Sequence, residues 1–244
     1  MTCGVLFLIP AAISDPKGTD SGALVAATLP PATLEAITKL RMFAVEHAKS
    51  ARAFLKSAGS PFPMQSIDIT EIGHAPDVAM VRPLIEALKA GSDVGLLSES
   101  GCPAVADPGA LLVRLAHESG IRVVPLVGPS SLLLAVMASG LDGQRFAFCG
   151  YLPVKPDERA SAIRELEVRS RRGAETQIAI ETPYRNAALF TALLGALQPG
   201  TRLTVAIDLT MPTETILMKR VAEWRKTLPP ALDRRQAVFL FLAS

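Results

Sequence analysis

The chain has 244 residues, 49% apolar and 20% charged, with a formal net charge of +2. That length suits two cores of about 100–150 residues each, and the apolar share excludes a disordered chain. The small charge excess excludes a protein that grips nucleic acid by global charge alone, while leaving room for a local basic patch.

Aromatic residues are only 5%, so Ala, Leu, Val and Ile must build the cores. That aliphatic bias favours helices layered on a mostly parallel sheet. In chain order, Val5–Ile9 reads as a buried strand rather than a signal peptide, because no basic segment precedes it. A Gly/Asp/Pro-containing loop spans Ser14 to Gly22, Pro31–Leu40 has helical spacing, and Met42–Val45 reads as a short strand. Lys49–Ala58 is a predicted helix stopped by Gly59, and Ile67–Ile69 a weak strand. Val78–Ala90 is a helix with Val81, Leu84, Ile85 and Leu88 on one face. Asp93–Leu97 (strand), Ala110–Ser119 (helix) and Ile121–Val124 (strand) continue a β-loop-α-β rhythm that predicts parallel pairing.

A second α/β pattern starts near Pro125, which sets the expected domains at 1–124 and 125–244. It comprises helices at Ser131–Ser139, Glu158–Arg172 and Asn186–Leu197, with strands from Arg145–Phe148, at Gln177–Ile180 and at Leu203–Ile207. The apolar run Ala237–Leu242 is expected to end the chain as a core strand without a long tail. No apolar stretch has the length to span a bilayer, so a cytoplasmic protein is expected. Cys3, Cys102 and Cys149 are odd in number and widely spaced, indicating neither a disulfide framework nor a zinc site. His47, His74 and His117 lie far apart in sequence, and no metal cluster is expected.

Three loops follow predicted strands, where ligands of open α/β sheets gather. The first is Ser98-Glu-Ser-Gly-Cys-Pro-Ala-Val-Ala-Asp-Pro-Gly109. Its carboxylates suit the cationic part of a ligand, and it serves equally as a stiff turn into a helix. Cys102 there reads as a nucleophile or, without a basic partner, as a small buried thiol. The second is Val127-Gly-Pro-Ser-Ser131, fit for an anion or for simple N-capping. The third is Ile180-Glu-Thr-Pro-Tyr-Arg185, whose Glu181 and Arg185 either meet a ligand or pair with each other. The chain has no GxGxxG after a strand, no GxxxxGK[ST], no HExxH and no GxSxG.

In this order and spacing the three loops, with Gly150-Tyr-Leu-Pro153 and Leu209-Thr210 plus Glu214, resemble the tetrapyrrole methylase superfamily. Within it the chain is most similar to the bacterial small-subunit ribosomal RNA 2′-O-methyltransferases that modify a cytidine. The resemblance implies two α/β domains with S-adenosylmethionine folded into the cleft between them. It carries the donor site onto Pro10, onto Glu99, Ser100, Gly101, Cys102 and Val105, onto Ser130 and Ser131, and onto Glu181, Thr182 and Leu209. Direct displacement at a sulfonium methyl needs no metal; it needs in-line placement.

For a ribose acceptor some group must take the hydroxyl proton. Glu46, in Val45-Glu-His-Ala-Lys49, matches the carboxylate of the family's Ala-Glu-Asp-Thr-Arg pattern, with His47 and Lys49 as replacements. It serves as an active-site carboxylate or as an exposed helix charge near Lys49. Other departures fall at Ile9-Pro-Ala-Ala-Ile-Ser-Asp15, which lacks the family's glycine and asparagine, and at Ile207-Asp-Leu-Thr-Met211, which lacks two cations. Tyr184 stands where the family has histidine. The donor-facing loops thus keep the pattern better than the acceptor-facing ones, which implies a divergent member with a changed or narrower acceptor.

Three readings stay open. One is an rRNA ribose methylase acting on the small ribosomal subunit, using basic residues such as Arg41, Lys49, Arg52, Lys56 and Arg169-Ser-Arg-Arg172. The others are a small-molecule, tetrapyrrole-like methylase and a non-catalytic S-adenosylmethionine-binding paralogue. A homodimer, with no membrane partner, is the family expectation.

Overall fold

The computed structural model of the protein describes residues 2–13 and 21–243. The chain divides into two units, Met1–Ser130 and Ser131–Ser244. Residues 126–130 go with the first because Leu126 N–H donates to the Leu8 carbonyl and Thr33 Oγ1 donates to that of Val127. The loop expected from Ser14 to Gly22 lies largely outside the described residues, and its last two positions open a helix instead.

The first unit runs β1 (Val5–Ile9), α1 (Ser21–Thr28), α2 (Pro31–Lys39), β2 (Met42–Val45), α3 (Ala48–Ser57) and β3 (Asp68–Glu71). It continues with α4 (Val78–Lys89), β4 (Val94–Leu97), α5 (Ala110–Glu118) and β5 (Arg122–Pro125). The five strands pair in the order β3-β2-β4-β1-β5, all in parallel. Strand alternation sorts the side chains into two layers. Leu6, Ala44, Val94 and Leu96 face Val81, Leu84, Leu88 of α4 and Leu112, Ala116 of α5. On the other face Ile9, Phe43 and Val45 pack on Val25, Ile37, Ala51 and Leu55 of α1–α3. The Asp77 carboxylate accepts from Met80 N–H at 2.9 Å and so fixes where α4 begins.

The second unit runs α6 (Ser131–Ala138), β6 (Phe146–Tyr151), α7 (Pro156–Gly173), β7 (Thr176–Ile180) and α8 (Asn186–Ala196). It ends with β8 (Arg202–Ile207), β9 (Thr215–Arg220), α9 (Val221–Trp224) and β10 (Ala237–Leu242). Its sheet corrects the expectation of a mostly parallel one. The order is β6-β7-β10-β8-β9, and only β6 and β7 pair in parallel. The final strand inserts antiparallel between β7 and β8, and a hairpin adds β9 at the edge. Trp224 anchors one face: it is 1% exposed, its indole N–H donates to the Leu203 carbonyl at 2.9 Å, and Phe190 meets it edge-on. Ala135 of α6 packs on the opposite face against Ile178, Ala206, Val238 and Leu240.

Candidate functional site

Parallel strands bring their carboxyl ends to one edge, and in the first unit register fixes which loops meet there. Val45 lies opposite both Leu97 and Glu71, Ile9 lies opposite Leu97, and Leu8 opposite Pro125. The loops starting at Pro10, Glu46, Ile72, Ser98 and Leu126 therefore leave side by side.

The 98–109 loop is locked onto the 10–13 segment. Ala11 and Gly101 exchange backbone hydrogen bonds at 2.9 and 3.2 Å, and Ser100 Oγ donates to the Ile13 carbonyl. Gly101 has φ +69°, a conformation that side chains resist, so glycine lets the chain turn there. Ala104 and Ala106 adopt φ +62° and +59° without that freedom, a strain on the order of 1–3 kcal/mol each. The Ser98 hydroxyl bridges the Ser100 carbonyl and the Asp107 carboxylate. Burial raises the Asp107 pKa, against the lowering pull of that serine. Cys102 Sγ points to the Pro129 carbonyl at 3.5 Å, and burial pushes its thiol up, away from thiolate chemistry. This favours the buried-thiol reading over the nucleophile. Gly128 fits under the Pro10 ring, where an added Cβ would lie 2.2 Å from Pro10 Cγ. Glu99, Ser100 and Val105 are exposed at the same edge, and Ser50 Oγ reaches Glu99 Oε1 at 2.6 Å. Beside them a cavity of about 290 Å³ is lined by Ala11, Val25, Phe54, Leu97, Ser98 and Glu99.

Glu46 is not the exposed helix charge its neighbour Lys49 allows. It precedes α3, is 8% exposed, and its Oε1 accepts from His74 Nδ1 at 2.6 Å. Burial raises its pKa, the nearby His74 lowers it, and the carboxylates of Asp107 and Glu99 raise it further. His47 Nε2 lies 3.7 Å from the same oxygen. Glu46, His47 and His74 converge, although the two histidines lie 27 positions apart in the sequence. The signal was the strand pairing: Ile72 N–H donates to the Val45 carbonyl and brings the 72–77 loop alongside residue 46.

In the second unit the ends of β7 and β8 flank the start of β10, so Glu181 and Leu209 leave the same sheet edge. Glu181 pairs with Arg185 at 2.7 Å and accepts from Thr182 N–H at 2.6 Å. Asp208 and Thr210, either side of the buried Leu209, have φ +49° and +71°. Thr210 Oγ1 is buried without a hydrogen-bond partner. Asp208 pairs with Arg235 at 2.7 Å, and Thr210 N–H donates to Glu214. Ser131 opens α6, and Ser130 closes the loop before it. Of the basic residues, Arg169 pairs with Glu175 and Arg41 stacks over Phe62. No helix among the described residues is long and apolar enough to cross a membrane.

The profile of the Tetrapyrrole (Corrin/Porphyrin) Methylases matches residues 26–224. The chain belongs to the tetrapyrrole (corrin/porphyrin) methylases. Among its relatives in that family is the ribosomal RNA small subunit methyltransferase I of Xylella fastidiosa, 31% identical over 88% of this chain and 75% of the relative. The protein of the same name from Mesorhizobium japonicum is 40% identical over 54% of this chain and 43% of its own length. The chain thus spans about half or less of some relatives it matches. The crystal structure of the methyltransferase CobJ superposes with a TM-score of 0.63 over 100% of this chain and 95% of that one. At 17% identity, that likeness speaks for the tetrapyrrole methylase fold alone.

Proposed function

We propose that this tetrapyrrole methylase transfers a methyl group from S-adenosylmethionine to a ribose 2′-hydroxyl of small-subunit ribosomal RNA. The observation that carries the reading is where backbone strain is kept. Of the six described non-glycine residues with positive φ, four lie in the two loops the family resemblance assigns to the donor: Ala104, Ala106, Asp208 and Thr210. Strain held in two separate loops, each at a strand end, marks geometry kept for a ligand rather than for stability. The named rRNA methyltransferases, related to this chain through most of its length, favour RNA as the acceptor.

The residues present fit the donor, because the orphaned Thr210 hydroxyl beside Leu209 offers a buried polar atom for a ligand to complete. In the first unit Pro10, Glu99, Ser100, Gly101, Cys102, Val105 and Ser130 would hold it. In the second, Ser131, Glu181, Thr182 and Leu209 stand at the positions the family resemblance assigns to the donor. Once bound, S-adenosylmethionine supplies an electrophilic methyl carbon on a sulfonium. The 98–109 loop, tied to Ala11 and Ile13, keeps its backbone fixed without reorganisation. Glu46 takes the acceptor's proton; burial, by raising its proton affinity, suits it to that role. A cytoplasmic homodimer acting on the small ribosomal subunit completes the proposal.

The test is transfer of labelled methyl from S-adenosylmethionine to total RNA and small-molecule extract from a strain lacking the gene. Label in small-subunit rRNA, lost in Glu46→Gln while donor binding persists, is the expected result. Label only in small molecules, or donor binding without transfer to any acceptor, would replace this reading with one of the other two.

A further inference from the structure

Of the group Glu46, His47 and His74, the methyltransferase reading uses Glu46 alone and gives the two histidines no role. Glu46 Oε1, His47 Nε2 and His74 Nδ1 all lie within 4.8 Å of one another. The carboxylate sits 2.6 Å from His74 and 3.7 Å from His47, and the two rings meet edge to face at 5.4 Å. The Glu46 side chain is 9% exposed, the imidazoles 56% and 76%. The arrangement is a buried carboxylate floor with two nitrogen donors on its rim, open toward water.

Charge and chemistry agree with that shape. Glu99 and Asp107 add their negative fields at Glu46, and the neighbouring groups set against them are the two imidazoles. A buried carboxylate among like charges is short of positive charge. Two imidazoles and one carboxylate are the donor set of first-row divalent cations, and three protein ligands leave positions for water. Bonds of about 2.0–2.1 Å put such ligand atoms about 3.3 Å apart. The His74 contact need only open slightly and the His47 contact close slightly, which exposed side chains do by small rotations.

We propose that Glu46, His47 and His74 bind a first-row divalent cation, with zinc(II) as the reference ion. The site needs neither methyl donor nor RNA, and it goes beyond the methyltransferase reading.

The experiment is a calorimetric titration of the metal-stripped protein with zinc(II). It is run in a Cys3→Ser background so that the exposed thiol does not contribute. The expected result is one ion per chain. His47→Ala, His74→Ala and Glu46→Gln should each weaken binding about 100-fold or more, whereas His117→Ala leaves it unchanged. The histidines are exposed, so their loss does not endanger folding, which circular dichroism checks. Absence of uptake, or an affinity indifferent to His74→Ala, would overturn the proposal. Because the readout is binding, failure of the methylation assay leaves this test intact.

Discussion

Replacing Arg185 by alanine strands a carboxylate. The Glu181 side chain is 2% exposed and its partner 36%, and one carboxylate oxygen receives both the guanidinium at 2.7 Å and Thr182 N–H at 2.6 Å. Breaking a buried pair by removing one partner costs about 3–5 kcal/mol. The half-open guanidinium and the surviving amide hydrogen bond lower that to about 2–3 kcal/mol. At about 1.36 kcal/mol per tenfold, the folding constant falls roughly 30- to 160-fold. For a chain of this size that is a drop of roughly 4–12 °C in Tm.

Urea unfolding of Arg185→Ala, Glu181→Gln and the double variant closes the cycle. Glu181→Gln/Arg185→Ala should recover at least about 1 kcal/mol over Arg185→Ala alone, since a neutral amide tolerates the missing cation better. If Arg185→Ala costs under about 0.5 kcal/mol, or the double variant is no more stable, the ion pair does not secure this strand end and the reasoning fails.

Three other expectations rest on single contacts. Trp224→Phe keeps the ring against Phe190 but loses the bond to the Leu203 carbonyl, a cost of about 1–3 kcal/mol in urea melts; an unchanged midpoint would exclude that bond as a stabiliser. Gly128→Ala drives a methyl into the rigid Pro10 ring, costing about 1–3 kcal/mol and weakening S-adenosylmethionine binding; wild-type values in both equilibrium dialysis and melting would show that the loop yields freely. Asp107 has a folded-state pKa raised chiefly by burial, so the folded state binds more protons than the unfolded one. Its contribution to stability is therefore lost as pH rises from its ordinary value of 3.8 through its raised native value. Asp107→Asn should flatten that limb of the stability–pH curve, and identical curves for the two proteins would remove Asp107 as its source.

What could be read from the sequence was local. The buried runs at Val5–Ile9 and Val94–Leu97, the helix of Val81, Leu84 and Leu88, and the order of the loops all follow from apolar period and turn chemistry. Pairing partners do not. Nothing in Ala237–Leu242 says that it enters antiparallel between β7 and β8, because a strand buried on both faces looks alike in either direction. The edge strand Thr215–Arg220 stayed hidden because half its residues are charged or hydroxylated, as edge strands often are. The sequence left Glu46 open between an active-site carboxylate and an exposed charge beside Lys49, and the lateral packing of β3 and β4 against β2 buries it. The same pairing joins His47 to His74.

The strand order also explains why the first unit carries its most elaborate loop where it does. From β1 the chain moves to β2 on one side, and from β4 it crosses β1 to reach β5 on the other. β1 and β4 are neighbours whose connections each pass the other strand, in opposite directions, so the loops at their carboxyl ends leave side by side. Residues 10–13 and 98–109 belong to those loops, and the Ala11–Gly101 bridge and the Ser100–Ile13 hydrogen bond tie them together. A glycine at 101 is thus required by its positive φ rather than by crowding, since an added Cβ would meet only the Pro129 carbonyl oxygen at 3.7 Å. Substituting it should disturb both loops at once, and hence the donor site proposed there, while leaving the sheet behind it intact.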